Sequence, residues 1–374
     1  MSWQEELRKG VRTAEELAAF LGWSEEETAR RAAVAERYPM LITPYYLSLV
    51  DPKDPADPIG RMCIPSLDEF DPGGSFDTSG EASNTKMEGL QHKYAQTVLL
   101  LSSNQCAMYC RHCFRKRMVG LTEDELNRRV DEAAAYVREH ESVTNILITG
   151  GDAFMNPNGI IERYLREMTA INRLDFIRFG SRVPVTLPER IYGDQEFLDL
   201  FAHYAQKKAL YLVTQFNHPR ELTAEAVKAV RAMIERGVQV RNQTVLLRGV
   251  NDSGAVLGEL LSGLTRVGIA PYYVFQCRPV TGVKERFQIP IAEGIRIVDA
   301  AKARQNGFGK AIRYAMSHPR GKIEIIGNLP SGETIFKFHQ SRDDEDNARI
   351  FLRRLAPGDT WLDESFNGAG DSNQ

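Results

Sequence analysis

The chain is poor in cysteine, with five in 374 residues, at positions 63, 106, 110, 113 and 277. Three of them crowd into one short stretch, so Cys63 and Cys277 are all that remains, and a disulfide framework is excluded. No run approaches the ~18 consecutive apolar residues of a membrane-spanning helix. The opening Met1-Ser-Trp-Gln-Glu-Glu lacks the pattern of a signal peptide. Positive charge is not in excess either: the net charge of −3 argues against a general role on nucleic acid or an anionic membrane. What remains is ordinary for a soluble globular protein, with 43% hydrophobic and 26% charged residues. The length admits one large domain with appendages, or two domains.

The crowded stretch reads Cys106-Ala-Met-Tyr-Cys110-Arg-His-Cys113, a Cys-x3-Cys-x2-Cys spacing with no fourth cysteine nearby. Tetrahedral zinc takes four ligands, so a zinc site here needs His112 or a distant residue to complete it. Three close thiolates instead suit a cubane iron–sulfur cluster with one iron left open. An open iron can chelate a small molecule and so do chemistry. Such a cluster needs reduced, oxygen-poor surroundings, which makes the cytoplasm the expected location.

Residues 1–36 read as helices over Glu5–Lys9, Thr13–Leu21 and Ser24–Tyr38, with capping boxes at Thr13-Ala-Glu-Glu16 and Ser24-Glu-Glu-Glu27. Asp51 to Gly89 is rich in Asp, Pro, Gly and Ser and reads as an extended wrapping segment with little regular structure. Strands and helices then alternate. Expected strands are Thr97–Ser103, Thr144–Thr149, Phe176–Gly180, Leu210–Phe216, Gln239–Leu247 and Pro271–Gln276. Expected helices lie near Glu123–His140, Ile160–Ile171, Asp194–Tyr204, Ala224–Arg236 and Ala255–Arg266. Helices between single strands imply crossovers and a parallel sheet, and six units fit a partial (β/α)6 barrel of the TIM type. Active sites in such barrels gather at the carboxyl ends of strands, and the cysteine motif directly follows the first one. Later come strand-like runs at Ala311–Met316, Lys322–Ile326 and Thr334–Phe338, a charged helix at Asp343–Leu355 and a tail at Ser365–Gln374 expected to be disordered. The expected division is a helical and wrapping segment over 1–90, the barrel over 91–306 and a C-terminal appendage over 307–374.

The cysteine spacing is the signature of the radical S-adenosylmethionine (SAM) superfamily. Nearly the whole chain, from Ile42-Thr-Pro-Tyr-Tyr to about Lys322, resembles the lysine 2,3-aminomutase family. The resemblance runs in order through Gly89-Leu-Gln-His-Lys-Tyr94, the cysteine motif, Gly150-Gly-Asp-Ala153 and Gly180-Ser-Arg-Val-Pro-Val185. It continues through Phe216-Asn-His-Pro219, Asn242-Gln-Thr-Val and Pro271-Tyr-Tyr-Val-Phe-Gln-Cys277. It implies a [4Fe–4S] cluster on Cys106, Cys110 and Cys113, with SAM on the open iron and a flavodoxin- or ferredoxin-type reductant. It also implies pyridoxal 5′-phosphate (PLP), whose π-system makes the 1,2-shift of an amino group accessible after hydrogen abstraction.

By the same resemblance Gly150, Gly151, Asp152, Ser181, Arg182, Gln215 and Gln243 face SAM, although the family carries a histidine where Gln215 stands. Lys322 matches the lysine that holds PLP, with His318-Pro-Arg in place of glycines. His92, Lys93 and Tyr94 fall where PLP is bound, and Lys93 and Thr97 stand where the family places phosphate-binding arginines. Arg115 matches the arginine for the substrate α-carboxylate. Two aspartates hold the distal ammonium in members acting on lysine; here those positions are Arg278 and Ala315. An arginine facing an ammonium is repulsive, so an acidic amino acid such as glutamate is the expected substrate, with Arg320 a further cation nearby. The family's C-terminal zinc site has no counterpart, since no cysteine follows Cys277. Any homo-oligomer would use other contacts. Two readings stand beside this one: a PLP-free radical enzyme on the same barrel, and a non-catalytic iron–sulfur protein.

Overall fold

A computed structural model describes residues 2–122, 126–127 and 129–363. Its twelve strands are β1 (Thr85–Met87), β2 (Leu90–Tyr94), β3 (Thr97–Ser103), β4 (Asn145–Gly150), β5 (Phe176–Gly180) and β6 (Ala209–Thr214), followed by β7 (Gln239–Leu246), β8 (Ala270–Gln276), β9 (Arg313–His318), β10 (Gly321–Asn328), β11 (Thr334–Ser341) and β12 (Ile350–Arg353). All belong to one sheet in sequence order. From β3 to β9 each neighbour is parallel. The flanking strands β1–β2 and β10–β12 pair antiparallel.

A parallel sheet in strict sequence order is wound in one direction and curls on itself, because right-handed crossovers always step the same way. Lys93 on β2 reaches across the curl, its Nζ donating to the His318 carbonyl on β9 at 2.6 Å. The sheet is therefore a partial barrel of seven parallel strands. The seventh, β9, was expected as part of the appendage, and the divisions after residues 90 and 306 fall inside this continuous sheet.

Side-chain alternation along each strand sorts the two faces. Ile146 and Ile148 of β4 and Ile177 and Phe179 of β5 join one apolar core with Val137, Ile161 and Leu165 of the surrounding helices. The alternate residues Asn145, Leu147, Thr149, Phe176, Arg178 and Gly180 line an inner cavity of about 470 Å³.

The expected helices are found at Asn158–Thr169, Gln195–Ala205, Ala224–Glu235 and Gly254–Arg266. Another spans Val130–Glu139; part of its expected range, at 123–125 and 128, lies outside the described residues, as does the whole of the expected tail. A helix at Ile291–Ala303 was not anticipated. It follows Pro290 and buries Ile291, Ile295, Val298 and Ala301, forming the last crossover before β9. The N-terminal helices are Trp3–Arg8, Ala14–Leu21 and Glu25–Arg37, and the capping box of Thr13 and Glu16 closes both ways. The wrapping segment holds only short pieces, including turns of helix at Pro58–Cys63 and Glu81–Asn84.

The charged helix expected over Asp343–Leu355 does not form. A single 3-10 turn at Asp344–Asp346 gives way to β12. Four consecutive acids repel one another in a helix, and Ala348 takes a φ of 64° that ends the turn. Phe351 is then buried between exposed Ile350 and Leu352, a period of two that belongs to a strand.

Candidate active site

The cysteine loop leaves the carboxyl end of β3 and is clamped by the N-terminal segment. Its backbone donates from Tyr109 N to the Leu41 carbonyl at 3.0 Å and from Arg111 N to that of Met62 at 2.8 Å. Arg111 and Lys116 both pair with the fully buried Glu69, Lys116 Nζ at 2.6 Å. Burial alone would raise the Glu69 pKa, but the two cations bring it down to about 2. The basic run after the motif is thus paired internally, with Arg117 on Glu81 at 2.8 Å.

Cys106, Cys110 and Cys113 are unbridged and line the same cavity. Burial pushes the Cys106 thiol well up and Cys113 to about 11, so ionised sulfurs here need cations beside them. Arg182 supplies one, with Nη1 2.7 Å from Cys110 Sγ. Among the described residues no three His, Cys, Asp or Glu side chains stand close enough to share one ion. The three cysteines suit a cluster, in which each thiolate takes its own iron.

The residues expected around SAM converge at the same mouth. Gly150 has φ 126°, and a side chain on it would strike the Ser103 carbonyl. Gly151 N donates to that carbonyl at 2.5 Å and Asp152 N to the Gln105 carbonyl at 2.8 Å. The glycine pair therefore packs the end of β4 against the chain leading into Cys106. Asp152 is buried, accepts from Arg182 N at 2.7 Å and Phe154 N at 3.0 Å, and its pKa is raised by burial. Arg182 also donates to the Gln215 carbonyl at 2.9 Å and pairs with Glu221 at 2.6 Å. Gln215 Nε2 lies 3.1 Å from His112 Nε2. Ser181 and Gln243 line the cavity as well.

Lys322 enters the cavity from β10, where its amine lies over two rings, 4.4 Å from the Tyr273 centroid and 5.8 Å from that of Phe275. Burial first, then Arg178 and Lys93, lower its pKa to about 7. Lys93 is similarly lowered to about 7, by burial and then Arg278. The Tyr94 hydroxyl is buried without a hydrogen-bond partner among the described residues. His92 departs from the expected set. Its alternation on β2 turns it away from the cavity, onto Tyr136 Oη at 2.9 Å and the His140 ring.

Arg115 and Arg278 both lie against one aromatic ring, 4.6 Å and 4.0 Å from the Phe114 centroid. Arg115 Nη2 is 3.1 Å from Glu81, and Arg278 Nη1 donates to Ser79 Oγ at 2.9 Å. Arg320 instead pairs with Asp346 at 2.8 Å, outside the cavity lining. Glu69, Ser79, Glu81, Arg178 and Glu221 were not anticipated. Arg178 alone carried a signal, as the one charged residue in the strand Phe176-Ile-Arg-Phe-Gly180. The acids sit in single short turns of helix, too short for any periodicity to mark them.

Residues 100–257 match the model of the radical SAM superfamily. The chain is 39% identical to a provisionally named L-lysine 2,3-aminomutase of Aquifex aeolicus, covering 91% of each chain. It is 36% identical to the L-lysine 2,3-aminomutase of Clostridium subterminale, over 82% of this chain and 73% of that one. It is 32% identical to the glutamate 2,3-aminomutase of Clostridioides difficile, over 85% and 74%. No helix among the described residues is long and apolar enough to cross a membrane. Three cavity-lining thiols at the end of the first barrel strand, with these likenesses over most of the chain, place it in the lysine 2,3-aminomutase family: it is a radical SAM aminomutase that uses a [4Fe–4S] cluster and SAM on an amino-acid substrate.

Proposed function

We propose that the chain is a PLP-dependent 2,3-aminomutase for an acidic amino acid, glutamate in the first instance. The observation that carries this reading is the charge of the cavity. Lys93, Arg115, Arg178, Arg278 and Lys322 line it, against the carboxylates of Glu81 and, at the cluster end, Asp152. An excess of buried cations calls for anionic ligands, since unpaired buried charge costs several kcal/mol. A phosphate and two substrate carboxylates supply them; a second ammonium on the substrate would add to the excess.

When bound, SAM on the cluster supplies a hydrogen-abstracting radical and PLP supplies a π-system across which nitrogen moves. The chain's own residues do the positioning. Arg182 and Glu221 brace the cluster mouth, and Asp152 ties the ends of β4 and β5 together. Lys322 offers an amine whose pKa of about 7 leaves part of it neutral and nucleophilic at neutral pH. The planar forks of Arg115 and Arg278, both beside Phe114, suit the two carboxylates of such a substrate.

The test is an anaerobic incubation of cluster-loaded protein with SAM, PLP and a reductant, following glutamate, aspartate, lysine and arginine by mass-resolved chromatography. β-Glutamate should form, be abolished by Lys322→Ala and be weakened by Arg278→Ala. SAM cleavage without isomerisation of any amino acid would overturn the reading and favour a PLP-free radical reaction.

A further inference from the structure

Arg178 is the cation that the mechanism above leaves without a task. It stands in the middle of β5, in register with Leu147 and Tyr211, and faces the cavity. Its Nη2 donates to Asn145 Oδ1 at 2.6 Å, and Thr97 Oγ1 donates to the same oxygen at 3.2 Å. Asn145 is itself fixed, its Nδ2 donating to the Gln96 carbonyl at 2.9 Å. The guanidinium is thereby held in one orientation, 5.7 Å from the Phe176 ring centroid.

Its hydrogen bonding is incomplete. The Nε–H is buried with no partner, and among the described residues no carboxylate neutralises the group. A buried guanidinium donor without an acceptor is costly, so the arrangement is suited to an anion that arrives with a ligand. The proposed substrate brings two carboxylates, which the reading above assigns to Arg115, also paired with Glu81, and to Arg278, both beside Phe114. The third anionic group to be held is a phosphate. Lys322 and Arg178 line the same cavity, as a cofactor spanning the two requires.

We propose that Arg178, oriented by Asn145 and assisted by the Thr97 hydroxyl, binds the phosphate of PLP. The inference rests on the PLP-dependent reading, and its test separates the two. Cluster-loaded protein is titrated with PLP and, in parallel, with pyridoxal, which has the aldehyde without the phosphate. Occupancy of Lys322 is read by borohydride trapping and peptide mass. Wild type should take up PLP at far lower concentration than pyridoxal. Arg178→Gln should raise the half-saturating PLP concentration by about ten- to a hundredfold, the loss of a charge-assisted hydrogen bond, and leave that of pyridoxal unchanged. Arg178→Lys should fall between, and it carries the test if the glutamine variant fails to assemble its cluster.

A rise for PLP and pyridoxal alike would mean a structural role and overturn the proposal. An unchanged PLP titration with a raised glutamate KM would assign Arg178 to the substrate and overturn it too. Uptake of neither compound by wild type would remove the PLP reading itself.

Discussion

Arg182 holds one end of its guanidinium 2.7 Å from Cys110 Sγ and the other 2.6 Å from Glu221, joining the cluster loop to the turn after β6. Glu221 is wholly buried and also accepts from Tyr46 Oη at 2.7 Å and Asn217 N at 2.6 Å. One arginine thus couples cluster geometry to the packing of the N-terminal segment.

Removing that arginine strands a buried carboxylate. Breaking such a pair from one side costs about 3–5 kcal/mol. Arg182→Ala should lower the unfolding free energy of the cluster-free protein by that amount and its urea midpoint by that amount divided by the m-value. Replacing both partners, as Arg182→Leu with Glu221→Gln, should recover much of the loss. Equal midpoints for wild type and Arg182→Ala would show that the pair contributes nothing.

Glu69 predicts an acid-dependent difference. Its pKa falls from the ordinary 4.5 to about 2 in the folded protein, where Arg111 and Lys116 outweigh the burial that would raise it. A depressed folded-state pKa gives stability that is present above the unfolded value and lost as pH falls through the folded one. The window is therefore pH 4.5 down to 2, and the contribution is roughly 3 kcal/mol. Comparing urea midpoints across that window, wild type should lose stability more steeply than Glu69→Gln. Parallel profiles would rule out this pair as the source.

How much of this was legible beforehand follows from what repeats. Strands such as Phe176–Gly180 announce themselves because buried parallel strands are short apolar runs between amphipathic helices. The cluster ligands are local in sequence, so their spacing alone finds them. Glu69 and Glu81 meet the cysteine loop over separations of 42 and 34 residues, and nothing local marks such partners. His92 was misplaced for a different reason: a shared segment gives the neighbourhood, but strand alternation decides which residue faces inward. The helix expected near the C-terminus failed because charge density was read without the like-charge repulsion it brings.

Lys322 and Lys93 predict opposed pH effects on PLP uptake. Both are lowered to about 7, each chiefly by burial. As pH rises through 7, Lys322 becomes the neutral amine that attacks an aldehyde, so uptake should accelerate. Over the same range Lys93 loses the charge with which it would attract phosphate, so affinity should fall. Lys93→Arg keeps that charge and should remove the alkaline loss of affinity while the rate profile stays. Stopped-flow uptake and equilibrium trapping, each from pH 6 to 9, separate the two. A Lys93→Arg affinity that still falls with pH would show that another group is responsible.

Substrate choice is where one residue should act most visibly. Arg278 is buried, and among the described residues its hydrogen-bonding partner is the Ser79 hydroxyl, with the Phe114 ring against it. Arg278→Asp reverses the charge that meets the distal end of the substrate. The loss of a buried charge-assisted contact is about 2–5 kcal/mol, so glutamate kcat/KM should fall by at least about thirtyfold. Lysine turnover should rise, because its ammonium would then meet a carboxylate. SAM cleavage in the absence of amino acid serves as the control, since the cluster ligands and Arg182 are left intact. If both substrates fall together, Arg278 is a structural cation and the acidic preference must come from elsewhere in the cavity. If glutamate falls and lysine rises, the charge facing the distal group sets the specificity, and the Arg278 guanidinium held against Phe114 is its physical basis.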